Sequence, residues 1–321
     1  MDHKCVVEYS QDIKAAAVFE LKNFSDSFGI KILYHTDGVA VIDRYDRRLL
    51  DSAFIQRISE VLSMEDSYVK FTADSVPQGK FYVRVRDEKK CHNSNLEPEI
   101  GRILNGEGRI SFSNPDYVIR VFHLDVWYLC REIHAAPGTS FDQRRAPKRP
   151  FFSPISMHPR IARFLVNVSN TPPEGVILDP FCGTGGILLE AGLLGRRTIG
   201  IDLSLQMTSG AKLNLKYFGI RDTTIINGNF LDTEINQEID SVVTDMPYGR
   251  NAPLHRQQLG ELYRESIKKF SELLSSGKRC VLALSDMELL QGYDSFFTIV
   301  GIIDHRIHKS LTRHYVVMQR I

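Results

Sequence analysis

The sequence predicts an α/β protein whose second half folds as a doubly wound, mostly parallel sheet with one antiparallel strand, preceded by a smaller α/β region. Three observations point there. From residue 176 onward, short strand signals alternate regularly with helix signals. Those strands are apolar along their whole length, the signature of a sheet covered by helices on both faces. The last two strand signals, 296–307 and 314–321, are joined by the short polar run Lys309-Ser-Leu-Thr312, which forces antiparallel pairing.

In chain order, residues 13–24 and 52–62 carry apolar residues at helical spacing, with Asp51 or Ser52 placed to cap the second segment. Residues 39–42 and 81–86 read as strands, the latter alternating an apolar with a charged face. A short helix over 98–104 and strands over 109–112 and 117–124 complete a small region in two pieces, split between residues 60 and 75. The window 135–157 holds four prolines and the basic residues Arg144, Arg145, Lys148 and Arg149 against the single acid Asp142, as in an extended connection. Read alone, it is either a solvated linker or a patch that holds phosphates. Beyond it come strands at 176–178, 198–201, 224–226, 240–244 and 280–284, with helices at 187–194, 205–217 and 259–274 between them.

The bulk properties agree. A chain of 321 residues suggests two domains at roughly 150 residues each. Hydrophobic content of 43% and charged content of 25% exclude disordered, collagen-like and coiled-coil classes. With 40 basic against 39 acidic residues, nothing favours an indiscriminate polyanion binder. The five cysteines (Cys5, Cys91, Cys130, Cys182, Cys280) form no Cys-x-x-Cys pair, so reduced thiols and no metal site are expected. A polar N-terminus and the lack of any apolar run of about 18 residues lead us to expect a cytoplasmic protein that does not enter membranes.

The strongest local signal is Asp179-Pro-Phe-Cys-Gly-Thr-Gly-Gly186, lying directly between a strand and a helix. Ligands of open parallel sheets bind at the carboxyl ends of the strands. Gly183, Gly185 and Gly186 allow a sharp turn and a close backbone approach, with Pro180, Phe181 and Thr184 shaping the loop. An acid at its head would repel a dinucleotide pyrophosphate and suits a ligand with cationic groups. S-adenosylmethionine has two, its sulfonium and its ammonium. Asp202 ends the next strand about 20 residues on, the offset at which an acid grips ribose hydroxyls. Asn229 and Phe230 end the third strand, an amide to read an adenine edge and a ring to pack on it. Cys182 reads as small packing, with nothing nearby to make it a nucleophile.

The fourth strand ends in Thr244-Asp-Met-Pro-Tyr248. Alone, Asp245-Met-Pro-Tyr248 is a turn with proline punctuation. At that strand end it gathers a carboxylate, a carbonyl and an aromatic plate, the parts needed to methylate an exocyclic amine whose lone pair is delocalised into a ring. Acceptors on its N–H bonds turn the lone pair toward the methyl group and relieve the developing charge. Asp245 is the main acceptor, the Met246 carbonyl the second, Pro247 sets the turn and Tyr248 supplies the stacking surface.

These motifs carry a family resemblance. The second half resembles amino-methyltransferases with a D-P-P-Y-type motif, and the runs Arg144-Arg-Ala-Pro-Lys-Arg-Pro-Phe-Phe-Ser-Pro154, His158-Pro-Arg-Ile-Ala162 and 179–191 are similar to the THUMP-containing tRNA guanine 2-amino methyltransferases. Leu96–Leu104 and Asn114–Val121 are similar to a THUMP domain. The resemblance implies a Rossmann-like methyltransferase fold and four regions: 1–62 ferredoxin-like, 63–135 THUMP-like and RNA-binding, 136–157 a basic linker, and 158–321 the methyltransferase domain. It further implies methyl transfer from S-adenosylmethionine to the 2-amino group of a tRNA guanine, typically the tenth nucleotide. Phe152 and Ser156 would close over the methionine end of the cofactor, and Arg144, Arg145, Lys148 and Arg149 would hold tRNA phosphates. Some relatives need a small zinc-binding activator protein on an exposed strand edge. Met246 stands where many relatives have proline, and Asn229 where an acid is common. The residues alone leave open an adenine in DNA or RNA, or a protein glutamine, as acceptor, and a non-catalytic RNA-binding protein as another class.

Overall fold

The computed structural model describes residues 3–90, 96–105, 108–137, 141–154, 156–248, 256–308 and 311–321. Cys91, Lys309 and Ser310 lie outside them. The chain forms two compact units.

Unit one comprises Met1–Ala17, Leu21–Leu50 and Phe54–Gly138. Its elements are β1 (Cys5–Tyr9), α1 (Lys14–Phe28), β2 (Ile32–Thr36), β3 (Val39–Ile42), β4 (Ile55–Glu65), β5 (Phe81–Asp87), α2 (Glu97–Leu104), β6 (Tyr117–His123) and β7 (Trp127–Ala135). The strands form one sheet in the order β2-β3-β1-β4-β7-β6-β5. Among the described strand pairs of this sheet, β5/β6 alone is parallel. Phe81, Ile100, Leu104 and Trp127 anchor one apolar cluster, and Val6, Val41, Phe122 and Tyr128 another.

Three expectations differ from the structure here. The segment 52–62 is not a helix capped by Asp51 or Ser52 but most of the long strand β4. Its register against β1 skips Gln56, pairing Glu8 with Arg57 and Tyr9 with Ile55. Such an extra residue inverts the side-chain alternation, so Ile55 and Ile58, three apart, both fall on the buried side. Helical spacing was thus imitated by a bulged strand. The expected strand over 109–112 reduces to an isolated bridge from Ile110 to Phe81. The expected boundary at 62/63 falls inside β4, which pairs with β1 and β7 at once.

Unit two comprises Val18–Glu20, Asp51–Ala53 and Thr139–Ile321. It contains α3 (Pro159–Val168), β8 (Val176–Asp179), α4 (Gly186–Leu193), β9 (Arg197–Asp202), α5 (Leu205–Tyr217), β10 (Thr223–Asn227), β11 (Ser241–Asp245), α6 (Arg256–Leu273), β12 (Arg279–Leu284), β13 (Phe297–His308) and β14 (Leu311–Arg320). The strand order is β10-β9-β8-β11-β12-β14-β13. β14 pairs antiparallel with both neighbours and alone runs against the rest. Short apolar strands such as Val-Ile-Leu at 176–178, all at most 2% exposed, form the doubly covered centre that the sequence predicted. Ser204 caps α5 by accepting from the Met207 amide, and Pro159 opens α3. The segment from residue 141 is no free linker. It folds as two short 3-10 turns, Asp142–Arg144 and Ala146–Lys148, that belong to this unit. No described helix is long and apolar enough to cross a membrane.

Candidate active site

The strand order reverses between β8 and β11, and the carboxyl ends of β8, β9, β10 and β11 border a cavity of about 730 Å³. That is within the range of small-molecule sites. Each strand contributes a sequence-predicted residue. Asp179, Asp202, Asn229, Phe230 and Asp245 all line it, as do Pro180, Phe181, Gly183, Thr184, Gly186, Ser156, Met246, Pro247 and Tyr248.

The glycine loop is held by conformation. Gly183 and Gly185 have φ of +51° and +80°, where side chains are strained. A Cβ at Gly185 would also press on the Ala211 Cβ at 3.2 Å. The Asp202 carboxylate fastens the loop, accepting from the Gly183 amide at 2.9 Å and, through its other oxygen, from the Ser204 amide at 2.9 Å. Asp179 is 1% exposed and accepts from the Thr244 hydroxyl at 2.6 Å. Burial pushes its carboxyl up to about 7, with Asp245 and Asp202 adding to the rise. Cys182 is buried and its thiol is pushed well up by burial, consistent with packing alone.

At the other end of the cavity, Asp245 closes β11 with its side chain 21% exposed. Burial raises it to about 6, and the charge of Arg313 restrains the rise. Met246 is fully buried and its amide donates to the Ala283 carbonyl at 2.9 Å. The Pro247 carbonyl accepts from the Tyr263 hydroxyl at 3.1 Å, which fixes the turn against α6. Lys269, also on α6, donates to the carbonyls of Phe230, Leu231 and Thr233 and so secures the loop after β10.

Several expected roles are not met by the geometry. Phe152 is 52% exposed and does not line the cavity; Ser156 does, bonded to the Thr184 hydroxyl at 3.0 Å. Asn229 reaches the cavity, but its amide donates to Asp232 at 2.7 Å and its oxygen caps Leu231, so the side chain is held in its own turn. The basic run divides. Arg144 makes a two-pronged bond to Glu190 on α4 at 2.7 and 3.2 Å, and Arg163 binds the same carboxylate at 2.9 Å. Arg149 is 5% exposed, donates to the Arg144 carbonyl and lies beside Gly186. Arg144 is therefore a structural cation held inward by the fully buried Glu190, Arg149 is buried beside it, and only Arg145 and Lys148 of the run remain exposed.

Sequence reasoning missed Arg313. This residue of β14 is 9% exposed, its guanidinium donates to Asp245 Oδ1, and its Cζ sits 4.9 Å from the Tyr248 ring centroid. No motif flags it, because its partner Asp245 stands 68 residues away in sequence and the two meet only in the assembled sheet. Glu190 was equally silent, an acid inside an apolar helix.

The donor set fits S-adenosylmethionine. Burying Asp179 beside Asp202 and Asp245 is costly unless a cation joins them. The apolar walls at Phe181 and Phe230 suit an adenine.

The comparisons agree with this geometry. The RMKL-like, methyltransferase-domain family (UPF0020) matches residues 146–314. The chain is 34% identical to a tRNA (guanine(10)-N2)-dimethyltransferase of Methanothermobacter thermautotrophicus over 98% of this chain and 99% of that protein. To one of Pyrococcus abyssi it is 36% identical over 75% and 74%. Among solved structures, TrmN from Thermus thermophilus superposes with TM-score 0.59 at 18% identity, covering 99% of this chain and 100% of that one. A putative methyltransferase complexed with SAH superposes at 0.51 and 16%, covering 98% and 97%. At those identities the structural likeness speaks for the fold, a Rossmann-like methyltransferase. From the sequence match over nearly its whole length, together with the family domain that spans its cavity, this chain belongs to the tRNA (guanine(10)-N2)-dimethyltransferase family.

Proposed function

We propose that this protein transfers methyl groups from S-adenosylmethionine to the exocyclic 2-amino group of guanine at position ten of tRNA. The observation that carries the reading is the meeting of Asp245 and Tyr248 with the three-carboxylate cavity at the β8/β11 reversal; the names of the relatives supply the base and the RNA. Those names also support a second methylation of the same nitrogen. When bound, S-adenosylmethionine supplies an electrophilic methyl on a positively charged sulfur.

The remaining work falls to the chain. Asp179 and Asp202 hold the cationic and hydroxyl groups of the cofactor, with Thr184, Ser156 and the Gly183–Gly186 backbone around its amino-acid end. Asp245 takes an N–H of the guanine amine and the Met246 carbonyl takes the other, turning the lone pair out of conjugation. Tyr248 stacks on the base, which must first leave its own stack at a cost of a few kcal/mol. An unmodified tRNA transcript incubated with the protein and labelled cofactor should yield N2-methylated guanosine on nucleoside mass spectrometry, and a transcript with adenine at position ten should yield none. Label appearing only in DNA or in protein glutamine would overturn the reading.

Unit one, as a THUMP-type region, would grip the RNA elsewhere. Support comes from Phe112, 72% exposed, stacked 6.1 Å from Tyr82, with Arg84 over the Tyr82 ring at 4.9 Å. Such aromatic and guanidinium surfaces hold unpaired bases. Of the basic run, Arg145 and Lys148 carry the phosphate-holding proposal. The double change to glutamate should lower the salt dependence of tRNA binding by about two units of logarithmic slope, measured by filter binding across ionic strengths. An unchanged slope would reduce both to surface charge. A small zinc-binding activator protein is proposed as a partner for the sheet edge at β10, beside which Leu203, Leu205 and Tyr217 are exposed by 77%, 67% and 67%.

A further inference from the structure

We propose that Arg313 is the positioning residue of the acceptor site: its guanidinium fixes Asp245 through one oxygen and leaves the other to receive the substrate N–H. The proposal rests on the reading of Asp245 as the acceptor of the amine.

The argument begins with strand direction. β11 pairs with β12 so that Asp245 lies beside Ala283, and β12 pairs with β14 so that Ala283 lies beside Tyr315. Because β14 runs against its neighbours, its first residues and not its last reach the carboxyl ends where the cavity opens. Arg313, two residues before Tyr315, shares its face of the sheet. An arginine at the start of the one reversed strand is thereby delivered to the end of β11.

Its contacts there join the two acceptor parts. The guanidinium donates to Asp245 Oδ1 and lies over the Tyr248 ring, so one planar cation joins the carboxylate to the stacking plate. Asp245 Oδ2 has no hydrogen-bond partner among the described residues.

The surroundings make the cation necessary. Asp245 acts electrostatically on Tyr263, Tyr315 and Asp179. Both phenols are pushed up by burial and stay neutral. His305 bonds the Tyr315 hydroxyl at 2.9 Å and is pushed down by burial and by Arg313 itself, so it too is neutral near pH 7. Among these described groups Arg313 is the only cation. Without it Asp245 would face phenols and a second carboxyl in a half-buried site, where the protonated form wins. A protonated carboxyl offers the substrate amine a donor where it needs an acceptor.

The test compares Arg313→Met, Arg313→Lys and Asp245→Asn for S-adenosylhomocysteine affinity by calorimetry and for tRNA methylation from about pH 5 to 9. Arg313→Met should bind the cofactor product within about twofold, lose on the order of a hundredfold in kcat at neutral pH, and move the acid limb up by at least about one unit. Free guanidinium should restore part of the loss. Arg313→Lys should keep the wild-type limb but lose about tenfold in kcat, because an ammonium cannot both hold the Asp245 oxygen and lie flat over the Tyr248 ring. Wild-type kcat and limb in Arg313→Met would overturn the proposal; should that variant fail to fold, wild-type kcat in Arg313→Lys would do so. Turnover surviving in Asp245→Asn would instead remove the acceptor reading beneath it.

Discussion

Replacing Asp245 by asparagine is expected to lower kcat on the order of a thousandfold while leaving cofactor affinity within about threefold. Asparagine preserves the shape of the side chain but has one acceptor in place of two and no charge to meet the charge that develops on the amine. The wild-type rate should also carry the signature of this carboxyl. Burial lifts it to about 6, so activity is present above that pH and falls as pH drops through it. Single-turnover rates across pH, with binding followed separately, check both statements; an asparagine variant with a tenth or more of wild-type kcat would remove Asp245 from the chemistry. The buried acids have an opposite effect on the fold. Asp179 rises from 3.8 to about 7, so between those values the folded chain binds more protons than the unfolded one. Stability without cofactor therefore declines as pH rises through that window.

Removing the Glu190 carboxylate is the change expected to harm the fold most. Glu190→Ala would leave Arg144 and Arg163 without their anion, and Arg149 beside them is itself 5% exposed. Breaking a buried ion pair from one side costs about 3–5 kcal/mol, a large part of a total near 5–15 kcal/mol. Urea unfolding should show this as a lowered midpoint, with Arg145→Glu as a control that shifts it by less than about 0.5 kcal/mol. A loss below about 1 kcal/mol in Glu190→Ala would mean that solvent already shields the cluster.

The two halves of the chain were unequally legible. From Val176 on, every strand and helix signal has its counterpart, because a doubly covered parallel sheet writes itself as unbroken apolar runs. The cavity acids Asp179, Asp202 and Asp245 were readable for the same reason, each standing at the end of such a run. Ile55 and Ile58 misled because a bulge places residues three apart on one face, and only the partner strand reveals it. Arg144 and Arg149 misled because charge read along a sequence shows no direction. The acid that turns Arg144 inward, Glu190, is 46 residues beyond it, and Arg149 follows through its bond to the Arg144 carbonyl. Arg313 was unreadable because its role is created by the reversal of β14, a property of the assembled sheet.

Strand β4 has a consequence of another kind. It crosses the point where a ferredoxin-like piece and a THUMP-like piece would part, and it hydrogen-bonds to β1 on one side and β7 on the other. Neither piece owns it: a cut at residue 62 would leave each fragment with half a strand and a raw sheet edge open to self-association. The two sequence modules of unit one thus amount to a single cooperative folding unit, in which loosening either end is felt at the other through one shared backbone.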